Sequence, residues 1–237
     1  MKTVAIIPAG GSGRRMQGNL SKQYLLLDGE PVLFHTLKIF QESPMIDDIF
    51  LIVPKEDIQP VRQLIVEKKG LSKVSRVLAG GKERQDSVKN GIDLVGSKYD
   101  VVVIHDGVRP FISEELIHQT IREVSKEGAV TVGVPVKDTV KTVDGEGWIK
   151  ATLKRDNLWL VQTPQTFRRD VIVEAHKRAC DDHYYGTDDA SLVERIGVNV
   201  KMIPGSYENI KITTREDLTV AEVFIKRLKA GRDSRGA

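Results

Sequence analysis

Short apolar, β-branched runs alternate with amphipathic helical patterns through the first half of this 237-residue chain. The segments TVAIIP, IFLIVP and VVVI have the length and composition of buried strands. Between the first two, Leu33, Leu37 and Phe40 recur at helical spacing, and Ser113 and Gly128 are suited to begin and end a later helix. Strands and helices in this order predict an α/β fold, with a mostly parallel twisted sheet and helices on both faces.

The middle of the chain departs from this rhythm. The segment DTVKTVDGEGWIKATL, which begins at Asp138, contains two alternating strands around a turn at 144–147, and this pattern predicts a β-hairpin. Because a two-stranded ribbon is marginally stable by itself in water, it either packs on its own domain or projects into a second subunit. We favour the second arrangement and predict a β-hairpin arm over about 136–160 that joins two copies in a homodimer.

Helical patterns return after the arm, and the last of them begins at Thr214, with Asp217 placed three residues on to complete a capping box. The sequence contains no internal repeat and no low-complexity linker. We therefore expect a single domain over 1–230, with the arm inserted in it, and a disordered tail at 231–237.

Composition restricts the possible partners. The chain has 36 Lys and Arg residues against 33 Asp and Glu residues, without the basic stripe and interleaved aromatic residues of nucleic-acid-binding domains. Its single cysteine, Cys180, excludes an internal disulfide. No run approaches the roughly 20 apolar residues of a membrane span, and the first apolar run is too short for a signal peptide. We expect a soluble, cytoplasmic protein with no nucleic-acid or membrane partner.

The glycine-rich segment IIPAGGSGRRMQGNLSKQY follows the first predicted strand. A dinucleotide-binding fingerprint that uses the glycines at 11–13 needs a third glycine where Met16 stands. A Walker loop over 13–18 needs Lys and Ser or Thr where Asn19 and Leu20 stand. Both of these phosphate-binding motifs are therefore excluded.

The same segment still favours an anion site. Its small residues let backbone N–H groups approach phosphate oxygens closely, and they are Ala9, Gly10, Gly11 and Gly13. Arg14, Arg15 and Lys22 add positive charge beside them. We predict a phosphate-binding loop, in which Arg14 either supports the loop or is a surface charge.

PAGGSGRRM followed by KQY resembles the signature loop of nucleotidyltransferases that activate small phosphorylated molecules. With AGGKERQDSV, HDGVRP, RDNLWLVQTPQTF, TDDASLVE and ENIKITTREDL, it resembles the 2-C-methyl-D-erythritol 4-phosphate cytidylyltransferase family along nearly the whole chain. A sister family, ribitol-5-phosphate cytidylyltransferase, shares the loop and the HDGVRP stretch. The resemblance implies a Rossmann-like nucleotidyltransferase fold, with CTP and a small phosphorylated polyol as substrates and Mg²⁺ as cofactor.

The family reaction explains why the sequence shows no convincing nucleophile–base arrangement. The attacking phosphate oxygen is already ionised, so catalysis depends on positioning and on cations near the reacting phosphorus. By resemblance, Arg15 and Lys22 are the catalytic cations. Asp106 follows VVVI at the sheet edge where ligands bind, and it is the expected nucleotide and Mg²⁺ residue. Arg109 either holds the loop or faces the nucleotide.

The remaining expected site residues divide between the two substrates. The family's cytosine pocket corresponds to Gly81, Arg84 and Ser87 together with the loop residues Ala9 and Gly10. The residues expected to position the second substrate are Arg155, in the strand after the hairpin turn, Lys211, Thr163, and Thr187 to Asp189. In the family, the arginine of the arm reaches the neighbouring subunit's site.

Two other functions remain open at this point. A sugar-1-phosphate nucleotidyltransferase would use another triphosphate, although a compact pocket around Ser87 argues against a purine. A nucleotide-sensing or nucleic-acid-binding module would have no need of second-substrate cations such as Arg155 and Lys211.

Overall fold

The computed structural model describes residues 1–10 and 22–233. Its strands are β1 (Thr3–Pro8), β2 (Leu26–Leu27), β3 (Glu30–Pro31), β4 (Asp48–Val53), β5 (Val74–Ala79), β6 (Val101–Ile104), β7 (Ala129–Pro135), β8 (Lys141–Val143), β9 (Ile149–Thr152), β10 (Trp159–Arg168) and β11 (Lys201–Pro204). Its α-helices are α1 (Val32–Glu42), α2 (Ile58–Val61), α3 (Arg84–Ile92), α4 (Glu114–Glu127), α5 (Arg169–Asp181), α6 (Asp189–Arg195) and α7 (Arg215–Asp233).

Seven strands form one sheet in the order β11-β7-β10-β6-β1-β4-β5. Pairing is parallel between β1, β4, β5 and β6 and between β7 and β11, whereas β10 runs antiparallel to both of its neighbours. The predicted α/β fold with a mostly parallel sheet is confirmed. Because β1, β5 and β6 point the same way, the loops that follow them meet at one edge of the sheet.

Both faces of the sheet are covered, as buried parallel strands require. Along β1, Ala5 and Ile7 belong to one apolar cluster, and Val4 and Ile6 belong to the cluster on the opposite face. Helices α1 and α4 pack on the first face, and α3, α5 and α6 pack on the second. Residues of β1 are therefore buried on both sides, which explains the unbroken apolar run in the sequence.

The predicted helix ends follow from capping. The Ser113 hydroxyl accepts a hydrogen bond from the Leu116 N–H at 3.2 Å, and Gly128 ends α4 with φ of +81°. The Thr214 N–H donates to the Asp217 carboxylate at 2.9 Å and so caps α7. The sequence predicts a disordered tail from residue 231, but helix α7 continues to Asp233. Residues 234–237 lie outside the described residues.

The hairpin formed by β8 and β9 pairs only with itself and is exposed along its whole length. Its apolar residues face solvent in the single chain, and Trp148 is 70% exposed. Of the two arrangements considered for the arm, packing on its own domain is therefore wrong. Arg155 lies in a 3-10 turn after β9, not in the strand, because pairing ends at Thr152 and the Arg155 guanidinium donates to the Lys137 carbonyl at 2.5 Å.

No helix among residues 1–10 and 22–233 is long and apolar enough to cross a membrane.

Candidate active site

A cleft of about 370 Å³ opens at the sheet edge where β1, β5 and β6 end. It lies beside the first turn of α3. The described residues that line it are Pro8, Ala9, Gly10, Lys22, Gln23, Gly81, Lys82, Glu83, Arg84, Ser87, Asp106, Val108 and Lys211. The sequence-predicted residues Ala9, Gly10, Lys22, Gly81, Arg84, Ser87, Asp106 and Lys211 are therefore brought together. Gly11, Gly13, Arg14 and Arg15 lie outside the described residues.

Asp106 is the electrostatic centre of this cleft. Its carboxylate lies 3.3 Å from the Arg84 guanidinium, 3.4 Å from that of Arg109 and 2.9 Å from the Lys211 ammonium. Burial raises the pKa of Asp106, but the three cations Arg84, Lys211 and Arg109 lower it by more, so the net pKa lies far below its usual value. The Asp106 carboxylate is therefore ionised at neutral pH.

Buried neighbours hold the Asp106 backbone in place through hydrogen bonds. Its N–H donates to the Thr163 hydroxyl at 3.0 Å, and that hydroxyl lies 3.1 Å from Nδ1 of His105. Nε2 of His105 lies 3.1 Å from the Arg109 carbonyl, so Nε2 carries the proton and Nδ1 accepts from Thr163. Burial lowers the pKa of His105 to about 4, which keeps the imidazole neutral.

Arg84 extends the charge network away from the cleft. One guanidinium nitrogen bonds the buried Asp189 carboxylate at 2.8 Å, and the other Asp189 oxygen lies 3.1 Å from Nε2 of His176. Burial lowers the pKa of Arg84, but Asp189 and Asp106 raise it by more. The first turn of α6 is held in place by Gln165, whose side-chain oxygen accepts from the Asp189 N–H at 3.0 Å.

The turn before α3 brings backbone close to the cleft. A Cβ at Gly81 would lie 2.2 Å from the Asp86 Cβ, so only glycine fits there. The Ser87 hydroxyl accepts from the Gly81 N–H at 3.0 Å and donates to the Glu83 carbonyl at 3.1 Å. Glu83 is the N-cap of α3, and its N–H donates to the Asp86 carboxylate at 2.9 Å, so Ser87 is not the capping residue.

Four predicted site residues have other surroundings. Arg109 donates to the Asn209 carbonyl at 2.7 Å and is not among the described residues that line the cleft. Thr163 is buried, with its hydroxyl engaged by Asp106 and His105. Thr187 lies in a neighbouring concavity with Tyr185 and Gly186. Arg155 is exposed on the arm and does not line the cleft of its own chain.

The sequence did not reveal several residues of the site. Lys82, Glu83 and Gln23 line the cleft. Each stands inside a sequence motif whose other residues are predicted to form the site. Asp189, grouped with Thr187 as a substrate residue, instead pairs with Arg84. Its two partners are 105 and 13 residues away in the chain, and no local pattern links residues so far apart.

The described carboxylates fit a metal ion carried by substrate better than one held by protein alone. Residues 1–10 and 22–233 contain no group of three or more His, Cys, Asp and Glu side chains suited to a metal. Mg²⁺ bound to a nucleotide needs one or two carboxylates, since phosphates and water supply its other ligands. Asp106, ionised and lining the cleft, meets that need.

Fold and cleft together define the class: this is an α/β nucleotidyltransferase. The family model of 2-C-methyl-D-erythritol 4-phosphate cytidylyltransferase (IspD) matches residues 3–227. The cytidylyltransferase of that name from Syntrophus aciditrophicus is 54% identical over 226 residues, which cover 95% of this chain and 97% of the relative. The one from Geotalea uraniireducens is 48% identical over 234 residues, or 98% and 100% of the two chains.

A solved structure agrees with these relatives. The crystal structure of 4-diphosphocytidyl-2C-methyl-D-erythritol synthase from Anaerococcus prevotii aligns with a TM-score of 0.82 and 34% identity, over 95% of this chain and 96% of that one. This chain belongs to the 2-C-methyl-D-erythritol 4-phosphate cytidylyltransferase family.

The network around Asp106 predicts a pH-dependent loss of stability in Asp106→Asn. A lowered folded-state pKa means that the carboxylate stabilises the fold above its unfolded pKa of about 3.9 and loses this effect as the pH falls below it. Urea denaturation should show a free energy of unfolding about 2–4 kcal/mol lower than wild type at neutral pH. Solvent limits the size of this loss, because Arg84 and Lys211 are partly exposed.

The loss should be the same at about pH 5 and narrow below about pH 4. Asp93→Asn, which removes an exposed partner of Lys89, is the control and should cost less than about 0.5 kcal/mol. A loss for Asp106→Asn that stays constant through the acid range would show that the ionised carboxylate is not its cause.

Proposed function

We propose that this chain joins CTP to 2-C-methyl-D-erythritol 4-phosphate, the activity named in its family, by electrostatic and positional catalysis. The observation that carries this proposal is the composition of the cleft. Lys22, Arg84 and Lys211 surround it, and its described lining contains no Cys or His. Its one hydroxyl, that of Ser87, already donates to a backbone carbonyl. Such a site suits a reaction whose nucleophile arrives ionised.

The reaction is a displacement at the α-phosphorus of CTP. A phosphate oxygen of the polyol phosphate forms a bond to the α-phosphorus. The bond between the α-phosphorus and the oxygen that bridges it to the β-phosphate breaks. The electron pair leaves with pyrophosphate, and no proton has to move. The main obstacle is repulsion between two polyanions, which fixed cations lining the cleft reduce.

Lys22 is the described cation best suited to the transition state. It begins the 3-10 turn Lys22–Tyr24, and this turn is anchored by the Tyr24 hydroxyl, which donates to the Asp57 carboxylate at 2.8 Å. Arg15 is proposed as its companion on the strength of the family resemblance. Lys211, which lines the cleft beside Asp106, is proposed to hold the phosphate of the second substrate.

The cytosine ring is proposed to lie against the turn before α3. Gly10 and Ser87 both line the cleft there, and Gly10 presents no side chain to a flat base beside Ser87. Thr163 is proposed to act through Asp106 rather than on a substrate hydroxyl, because both of its hydrogen-bonding directions are in use.

Magnesium is proposed to enter with the triphosphate and to offset its charge when bound. Asp106 would hold it. The three cations around Asp106 keep that carboxylate ionised and in place before the nucleotide arrives.

The arm is proposed to complete the site of a second copy in a homodimer. Val143, Trp148 and Ile149 are each more than half exposed in the single chain. Arg155 follows them, away from its own cleft, and it would serve the partner's second substrate. With a nucleoside triphosphate as substrate and Cys180 as its single cysteine, the enzyme is proposed to work in the cytoplasm.

Pyrophosphate release tests the proposed reaction directly. We expect release only when CTP, Mg²⁺ and 2-C-methyl-D-erythritol 4-phosphate are all present, and at least about tenfold lower kcat/KM with ribitol 5-phosphate. UTP and GTP in place of CTP are the controls for the base pocket. Equal or faster release with ribitol 5-phosphate would assign the activity of the sister family instead.

Replacing Lys22 by Ala should separate turnover from binding. Because the charge that Lys22 meets is largest in the transition state, kcat should fall about 10²- to 10³-fold while KM for CTP changes much less. Steady-state kinetics of pyrophosphate release measure both. Lys38→Ala, on the exposed side of α1, should behave as wild type. Weaker CTP binding with unchanged kcat would make Lys22 a binding cation only.

Mixing two inactive variants tests whether Arg155 acts across the dimer. Lys22→Ala and Arg155→Ala should each be inactive alone. In a mixed dimer, one site combines an intact Lys22 with an intact Arg155 from its partner. A 1:1 mixture, unfolded and refolded together, should therefore recover about a quarter of wild-type activity if the dimer is symmetric. Recovery of none would place Arg155 on its own chain's site or outside the reaction.

A further inference from the structure

The imidazole of His176 is buried with only one of its two ring nitrogens hydrogen-bonded. It lies on α5 with 1% of its surface exposed, and its Nε2 bonds the Asp189 carboxylate at 3.1 Å. Its other ring nitrogen, Nδ1, is buried without any hydrogen-bond partner. A buried polar atom left unpaired is destabilising, whereas an apolar side chain of similar volume would fill the same space without that loss.

The one polar contact of His176 leads to the cleft. Asp189, also 1% exposed, bonds His176 through one oxygen and Arg84 through the other, the latter at 2.8 Å. Arg84 in turn lies 3.3 Å from Asp106 and lines the cleft. Three consecutive polar contacts therefore join a buried imidazole on α5 to the wall of the nucleotide cleft.

Geometry limits what each member of this chain of contacts can do. The Asp189 N–H is bonded to Gln165, so its backbone is fixed, and only rotation of the carboxylate remains free. The His176 N–H holds that rotation by binding one oxygen, and the second oxygen is then directed at Arg84. We propose that His176 is a positioning residue that orients Asp189, and through it holds Arg84 at the nucleotide cleft.

This inference rests on the proposed function, because it assigns a role in binding CTP to Arg84. The Arg84 guanidinium forms ion pairs with two carboxylates, that of Asp189 behind the cleft and that of Asp106 at its edge. If Asp189 turns away, Arg84 keeps only the longer contact to Asp106, and its position relative to the nucleotide changes. Loss of His176 should therefore weaken CTP binding more than it slows turnover.

His176→Leu and His176→Gln test this proposal as a pair, since glutamine can still donate to Asp189 and leucine cannot. Calorimetry should show that CTP binds about tenfold more weakly to His176→Leu, by analogy with the outer partners of metal ligands, and within about threefold of wild type to His176→Gln. His118→Leu is the control, because the partly buried His118 ring contacts Ser43 at 3.0 Å and Glu114 at 3.5 Å but does not line the cleft.

A double-mutant cycle decides whether His176 acts through Arg84. In the Arg84→Ala background, His176→Leu should weaken CTP binding by less than about twofold, because the residue it positions is gone. A full additional loss in that background would overturn the proposal, and so would unchanged CTP affinity in His176→Leu, whatever its melting temperature. If His176→Leu does not fold, Asp189→Asn replaces it, with the same expected loss and the same contrary outcome.

CTP binding by the wild-type protein and by His176→Leu distinguishes failure of the proposed function from failure of the role of His176. If the wild-type protein binds no CTP, the proposed function fails and the role of His176 fails with it. If the wild-type protein binds CTP and releases pyrophosphate, but His176→Leu binds CTP equally well, the proposed function stands and only the role of His176 is withdrawn.

Discussion

One buried carboxylate holds together the charges of this site. Arg84, Arg109 and Lys211 come from three separate segments, and without Asp106 between them their like charges would repel at short range. The desolvation of Asp106 is offset because all three cations lie within 3.4 Å of it. Cations that would otherwise separate are thus held beside the cleft, in positions that a polyanion can use.

This arrangement has a consequence for catalysis. A site that orders its cations only when substrate binds must use part of the binding energy for that ordering, whereas a preorganised site does not. Here the ordering has been achieved by folding, through Thr163 and His105 behind Asp106 and through Asn209 behind Arg109. Lys211 is the most exposed of the three cations and is therefore the one best able to exchange Asp106 for a substrate phosphate.

Local patterns in the sequence predicted most of the fold and part of the site. The strand VVVI and the position of Asp106 after it follow from residues close together in the chain, and so do the caps at Ser113 and Thr214. The charge network could not be predicted in the same way, because Arg84 and Asp189 are 105 residues apart. The surroundings of Thr163 could not be predicted for the same reason, because its hydroxyl contacts His105, which is 58 residues away.

In the proposed homodimer, the exposed apolar residues of the arm would link assembly to catalysis. A hairpin with Val143, Trp148 and Ile149 in solvent gains nothing for the chain that carries it, and exposed apolar ribbons are prone to pair with other chains. In the proposed dimer, a second copy would cover those residues and remove this cost, and Arg155, which does not line the cleft of its own chain, would serve that of the partner. Under the proposed dimer, the energy that drives association is therefore the same energy that delivers the last cation to the site. A monomer would retain its cleft and its Asp106 network but lack the cation proposed to position the second substrate.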